Sequence, residues 1–268
     1  MVFLQKEKVW LFSKSVLRIT IAVYFGFGVV LTVFQKSFIY APSEQDFDSC
    51  PQFSESEKLN VNGTRAYYEK KDARSVVVLY HGNGGSACDR AYWKDIVELS
   101  GFSLIVVEYA GYSNDDRQSS IELILKDVEH VDAFISAQRF ANVIVAGESL
   151  GTSLAVYHST LRDTAQLLLI SPFSSVNSIA QKEYPMYPIA LLSTENFDTS
   201  GWMRETRARK VMMIHGSEDE MHPIAESKKL FAETKVADKR FVEVPHAHHN
   251  DIYDFEETIR NIRAFLLE

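Results

Sequence analysis

The chain has 268 residues, 46% hydrophobic and 24% charged, an ordinary globular composition with room for one sizeable domain and an appendage. Its formal charge of −8 excludes nucleic acid as a partner, because binding to a phosphate backbone needs concentrated basic surface. Two cysteines, Cys50 and Cys88, are too few for a disulfide framework and lack the paired spacing of a zinc site, so both are expected as free thiols.

From Ile19 to Phe34 the chain carries no charge, and Val16 and Leu17 extend the run if Arg18 snorkels back to the headgroups. That makes about 19 residues, close to the ~20 a spanning helix needs. Lys6, Lys8, Lys14 and Arg18 precede it, and Lys36 is the only basic residue close behind. The positive-inside rule then predicts a single-pass anchor with its N-terminus in the cytoplasm and the large domain on the opposite side of the membrane. A cleaved signal peptide shares this charge order, but no small-x-small site follows, only QKSFIYAPS. A helix buried in a soluble protein fits poorly, because the segment is apolar around its whole circumference. Residues 1–40 are read as tail and anchor, and the polar, proline-bounded residues 41–58 as a linker.

Residues 59–268 have a regular rhythm. Asn62-Gly63 signals a hairpin within Leu59–Tyr68. Asn62-Gly63-Thr64 is also a glycosylation acceptor pattern if this side is a eukaryotic secretory lumen, and chance accounts for such a triplet equally well. Short apolar runs follow at 75–80, 103–109, 142–147, 166–171, 210–216 and 240–244. Apolar residues stand at consecutive positions in most of them, as in strands covered on both faces of a parallel sheet. Residues 119–138 and 226–235 have helical spacing instead. The alternation predicts a doubly wound, mostly parallel α/β sheet, with chemistry at the carboxyl ends of its strands.

Gly147-Glu148-Ser149-Leu150-Gly151 directly follows one of these runs and opens a helical stretch, which is G-x-S-x-G in its strand–turn–helix context. A serine hydroxyl needs a base, and the base needs an orienting carboxylate. Both are expected downstream, and strand ends supply Ser217-Glu218-Asp219-Glu220 and then His246-Ala247-His248-His249-Asn250-Asp251.

These residues resemble the α/β-hydrolase superfamily, and most closely its membrane-anchored, small-cap branch related to protein depalmitoylases and monoacylglycerol-type esterases. The resemblance runs from about Phe34 to the C-terminus. It includes His81-Gly82-Asn83-Gly84-Gly85, Tyr109-Ala110-Gly111-Tyr112-Ser113 and His215-Gly216-Ser217-Glu218-Asp219. Ala110 stands where the family usually has arginine. His246 and His248 stand where two glycines usually precede the base, and Asn250-Asp251 behind His249 selects that histidine. The resemblance implies Ser149 as nucleophile, Asp219 as acid and His249 as base, with an oxyanion hole formed by the backbone N–H groups of Asn83 and Leu150. Glu148 and Glu218 are expected to point away, since one acid suffices. No metal or other cofactor is expected, because the histidine cluster lacks a partner set at ligand spacing.

Residues 172–208 leave room only for a small cap, with Phe173, Tyr184, Tyr187, Phe197 and Trp202 either packing it onto the sheet or touching substrate. A short cap beside a membrane suits an acyl ester or thioester, possibly a lipid or lipidated substrate, with a serine peptidase as the alternative on the same triad. Gly82-x-Gly84-x-x-Ala87 with Glu108 beyond it is a dinucleotide-like fingerprint, so a nicotinamide-dependent oxidoreductase is a remote alternative. A hydrolase fold used as a non-catalytic scaffold is another.

Overall fold

The computed structural model describes residues 2–71 and 74–268; Met1, Asp72 and Ala73 lie outside the described residues, as do the side chains of residues 1–9, including Lys6 and Lys8. Helix α1 (Val2–Val33) contains Trp10–Val33, 24 residues of mean hydropathy 2.1, long and apolar enough to cross a membrane. Most of its described large apolar side chains, among them Phe12, Val23 and Phe25, are exposed, while Leu31 is buried. A short helix α2 (Gln35–Ile39) follows, then a two-residue strand β1 (Ala41–Pro42).

Residues 41–58, expected as a linker, fold onto the domain instead. Two 3₁₀ turns, Phe47–Ser49 and Pro51–Phe53, bury Phe47 and Phe53, and each ring stacks on Tyr67 with centroids 4.3 Å apart. Burying an aromatic side chain is worth about 1.5–3 kcal/mol, enough to hold an otherwise polar stretch against the sheet. The expectation of free thiols is also corrected. Cys50 and Cys88 form a disulfide, because the folded-back segment brings their Cα atoms to 5.8 Å.

The hairpin at Asn62-Gly63 joins β2 (Glu57–Val61) to β3 (Thr64–Glu69). Then come β4 (Ser75–Tyr80), β5 (Gly84–Gly85), α3 (Trp93–Glu98), β6 (Ser103–Glu108) and α4 (Ile121–Gln138). Helix α4 begins where the Ser120 side chain accepts the Leu123 N–H. After it lie β7 (Asn142–Glu148), α5 (Leu150–Leu161) and β8 (Thr164–Ile170). The cap region contributes α6 (Val176–Glu183), α7 (Ile189–Leu192) and α8 (Thr199–Met203). The chain ends with β9 (Ala208–Gly216), α9 (Ile224–Glu233), β10 (Asp238–Val244) and α10 (Glu256–Leu266).

The main sheet has the order β10-β9-β8-β7-β4-β6-β3-β2. The pairs of β3 with β2 and with β6 are antiparallel and the rest are parallel. Alternate strand residues feed two cores. Val76, Val78, Val145 and Leu169 pack with Ile124, Leu154 and Leu230 from α4, α5 and α9, whereas Val77, Leu79, Ile144 and Ile170 pack with Trp93, Ile262 and Phe265 from α3 and α10. This double coverage is why the central strands read as continuous apolar runs.

Candidate active site

Ser149 sits between β7 and α5 with φ +49° and ψ −120°, a conformation a non-glycine residue adopts only when its surroundings impose it. The surroundings do so through backbone proximity. A Cβ on Gly147 would meet the Gly151 carbonyl, and one on Gly151 would meet the carbonyls of Tyr80 and His81. The Ser149 N–H donates to the Ile170 carbonyl at 2.9 Å, fixing the turn to the end of β8.

Ser149 Oγ lies 3.0 Å from His249 Nε2, and His249 Nδ1 lies 2.7 Å from Asp219 Oδ2. These partners assign the imidazole tautomer: Nδ1–H donates to the carboxylate and Nε2 accepts from the serine. The structure therefore brings together Ser149, Asp219 and His249, from loops that follow β7, β9 and β10. The last two loops are stitched to each other, because Ser217 N–H donates to the Val244 carbonyl at 2.9 Å and Glu218 N–H to the Ala247 carbonyl at 3.0 Å.

Burial alone would raise the Asp219 carboxyl. Hydrogen bonds from His215, from His249 and from the His222 N–H outweigh it and hold the group well below the usual carboxylate range. His215 is fully buried and places Nε2 3.2 Å from the same Oδ2 that receives His249. Its place in His-Gly-x-x-Asp was visible in the sequence, but this contact was not.

His246 and His248 turn elsewhere. His246 Nδ1 lies 2.7 Å from Glu218 Oε1, and His248 Nδ1 lies 3.1 Å from Glu220 Oε2, all at the surface. His246 has φ +64°, in the left-handed region that favours glycine.

The loop 81–85 lies directly against Ser149, since a Cβ on Gly82 would stand 3.4 Å from the Ser149 Cβ. Among the described residues, neither the Asn83 nor the Leu150 backbone N–H has a protein acceptor. Asn83 Oδ1 accepts from the Tyr112 hydroxyl at 2.9 Å and from the Ala41 N–H at 3.0 Å. Strand β1 pairs in parallel with β5, aligning Ala41 with Gly84 and Pro42 with Gly85.

Glu218 faces solvent as expected, but Glu148 does not point away. It is buried and accepts from the Gly82 N–H (3.0 Å), Arg90 Nε (2.5 Å) and the hydroxyls of Tyr92 (3.1 Å) and Tyr253 (3.0 Å). Burial would raise its carboxyl, yet the Arg90 charge and the Gly82 N–H lower it. Ser149 and His249 open on a cleft of about 490 Å³ that Arg90, Tyr92, Met221, Ile252 and Tyr253 also line. None of the five cap aromatics lines it; Phe173 and Phe197 are core residues, and Trp202 packs on Tyr157. Nothing in the spacing of Arg90 or the two tyrosines could have announced their meeting.

Glu108, the carboxylate of the dinucleotide-like fingerprint, is buried. It accepts from the Ala87 N–H at 3.1 Å and the Ser113 hydroxyl at 2.5 Å, and lies 3.1 Å from His81 Nε2. It braces the loop from below. No group of histidine, cysteine and acidic residues suited to a metal ion is found among the described residues.

No family model matches the chain. It is 26% identical over 257 residues to an uncharacterized protein of Mycobacterium tuberculosis, covering 90% of this chain and 91% of that one. It is 24% identical over 202 residues to a putative alpha/beta hydrolase of Acanthamoeba polyphaga mimivirus, covering 72% and 73%. Among solved structures, a monoacylglycerol lipase of Paleococcus ferrophilus superposes with a TM-score of 0.57 at 20% identity, covering 76% of this chain and 98% of that one. The chain has the α/β-hydrolase fold, with a mostly parallel central sheet and an N-terminal apolar helix ahead of it.

Proposed function

We propose that this protein is a membrane-anchored serine hydrolase that cleaves carboxylic esters or thioesters through an acyl-enzyme on Ser149. The observation that carries the reading is the unbroken hydrogen-bonded chain from Ser149 Oγ through His249 to Asp219 beside two undonated amides. In this reading His249 Nε2 takes the serine proton as Oγ attacks the acyl carbon. The N–H groups of Asn83 and Leu150 receive the developing oxyanion, each donor being worth about 100- to 1,000-fold in rate. His249 then protonates the leaving alcohol or thiol, and a water deprotonated by the same nitrogen releases the acid.

The cleft mixes Ile170, Met221 and Ile252 with Arg90, Tyr92 and Tyr253. That lining suits an apolar acyl group joined to a polar remainder, as in a lipid or lipidated substrate. A disulfide persists in an oxidising compartment, so Cys50–Cys88 supports the orientation drawn from charge, with the N-terminus cytoplasmic and the domain across the membrane.

A fluorophosphonate probe tests the nucleophile: labelling is expected on the wild type and lost in Ser149→Ala, and undiminished labelling of the variant would refute the assignment. A panel of p-nitrophenyl esters and acyl thioesters of rising chain length, run beside aminoacyl-anilides, tests the bond. Preference for the anilides would replace the esterase reading with the peptidase one and leave the triad standing.

A further inference from the structure

The cap touches the anchor helix well below the point where that helix ends. Tyr187 stacks on Tyr24 with centroids 4.6 Å apart and planes 8° apart. The Tyr187 hydroxyl donates to the Tyr24 carbonyl at 3.0 Å, and the Tyr24 hydroxyl to the Met186 carbonyl at 2.7 Å. Phe27 adds centroid distances of 5.5 Å to Tyr187 and 6.0 Å to Tyr184. The Tyr187 ring lies directly over Gly28, where a Cβ would stand 3.4 Å from it in van der Waals contact.

Tyr24 precedes Val33 by about 13 Å of helix at 1.5 Å per residue. The span Trp10–Val33 is roughly 36 Å long against a hydrocarbon core of about 30 Å. Even if the whole surplus protrudes on the domain side of an upright helix, Tyr24 and the cap residues against it sit about 8 Å inside the hydrocarbon.

Irregular backbone at that depth needs its carbonyls satisfied without water. The Tyr184 carbonyl accepts from the Tyr187 N–H (3.1 Å), Tyr187 from Ile189 (2.9 Å), Pro188 from Leu191 (2.9 Å) and Ile189 from Ser193 (2.9 Å). The Gln181 amide reaches the Tyr187 carbonyl at 3.0 Å and that of Pro185 at 3.5 Å, and Tyr24 serves Met186. Pro185 and Pro188 have no N–H to satisfy. The Met186 N–H, between them, has no protein acceptor among the described residues. No charged residue occurs from Tyr184 to Thr194. On the outer side Met186 is 75% and Leu191 84% exposed, among the most exposed large apolar side chains of the molecule.

We propose that the cap segment Tyr184–Leu192 is itself seated in the bilayer, in the leaflet on the side of the catalytic domain, with Met186 and Leu191 against lipid acyl chains. The proposal rests on α1 lying in a membrane but not on any catalytic activity. It makes the cap a second membrane contact that fixes the domain's tilt.

The test uses full-length protein in phosphatidylcholine vesicles carrying one added cysteine labelled with an environment-sensitive fluorophore; the Cys50–Cys88 bridge leaves only the new thiol to react. Met186→Cys and Leu191→Cys are compared with Val23→Cys on the anchor and with Leu99→Cys, an exposed site just past α3 on the other side of the sheet. Blue-shifted emission and quenching by a shallow doxyl-labelled lipid are expected at 23, 186 and 191, with little quenching at 99. If 186 and 191 behave like 99 while 23 is quenched, the cap stays in water and the proposal fails. If 23 also escapes quenching, the anchor reading fails and takes the proposal with it. All four sites are exposed, so labelling should not unfold the domain, and retained near-UV circular dichroism checks this. Fluorophosphonate labelling of the same samples scores the hydrolase reading separately.

Discussion

The Ala41 backbone N–H donates to Asn83 Oδ1 at 3.0 Å, so a residue shortly after the apolar N-terminal helix holds the residue whose own N–H is proposed to receive the oxyanion. The short strand that follows the apolar N-terminal helix is thereby part of the candidate site's architecture. Asn83→Ala keeps the backbone N–H but loses two hydrogen bonds that fix its direction. A donor that is loosened rather than lost should cost less than the 100- to 1,000-fold of outright removal, so a fall in kcat of about tenfold to a hundredfold is expected, with KM little changed. Steady-state kinetics on a p-nitrophenyl ester measures both, and an unchanged kcat would show that the loop needs no such brace.

The three clustered histidines should separate cleanly. His249→Ala and Asp219→Asn are each expected to lower kcat by orders of magnitude, with ~10⁴-fold known for the loss of the carboxylate in one such triad. His246→Ala and His248→Ala, whose rings face Glu218 and Glu220 at the surface, should stay within a few-fold of the wild type. A series in which His248→Ala is the inactive variant overturns the assignment of the base.

His222 predicts an acid-sensitive fold. Burial, joined by the neighbouring His249 charge, pushes its pKa down to about 4. The unfolded chain, with a pKa near 6.5, binds the proton more tightly, so stability is present above about pH 6.5 and lost as pH falls toward 4. At 1.36 kcal/mol per unit the loss approaches about 3 kcal/mol. The lowered Asp219 carboxyl acts in the same direction, but only as pH falls below the ordinary carboxylate range near 4. Urea denaturation at pH 7.5 and pH 4.5 should register the difference, and His222→Gln should shrink it; equal pH dependence in both proteins would assign the loss to other groups.

The Cys50–Cys88 bridge closes a loop of 38 residues, for which chain entropy gives a stabilisation of about 4 kcal/mol as an upper figure. Cys50→Ser is therefore expected to lower the midpoint of thermal unfolding by several degrees, and reductant should do the same to the wild type only. No shift on reduction would mean that Phe47 and Phe53 hold the segment without help.

The sequence alone determined the sheet and the order of its reactive ends. Strands covered on both faces need uninterrupted apolar residues, so Ser75–Tyr80, Ser103–Glu108 and Asn142–Glu148 stood out within a residue or so of their observed bounds. The residues just past the strand ends then nominated Ser149, Asp219 and His249, because G-x-S-x-G and the aspartate and histidine motifs behind it are local patterns. Only the tertiary structure decided what depends on chain segments meeting from a distance. Residues 41–58 looked like solvated linker because their few aromatics carry no period, and it is the Tyr67 ring that gives Phe47 and Phe53 a partner. The pairing of Cys50 with Cys88 follows from that same fold-back. Glu148 was legible as a carboxylate beside Ser149, but its surroundings depend on Arg90, Tyr92, Tyr253 and the Gly82 N–H converging on it. The cap aromatics Tyr184 and Tyr187 likewise turned to the apolar N-terminal helix rather than to the cleft. Periodicity reports which face of an element is apolar; which other element that face meets is fixed only when the whole chain has closed around its two cores.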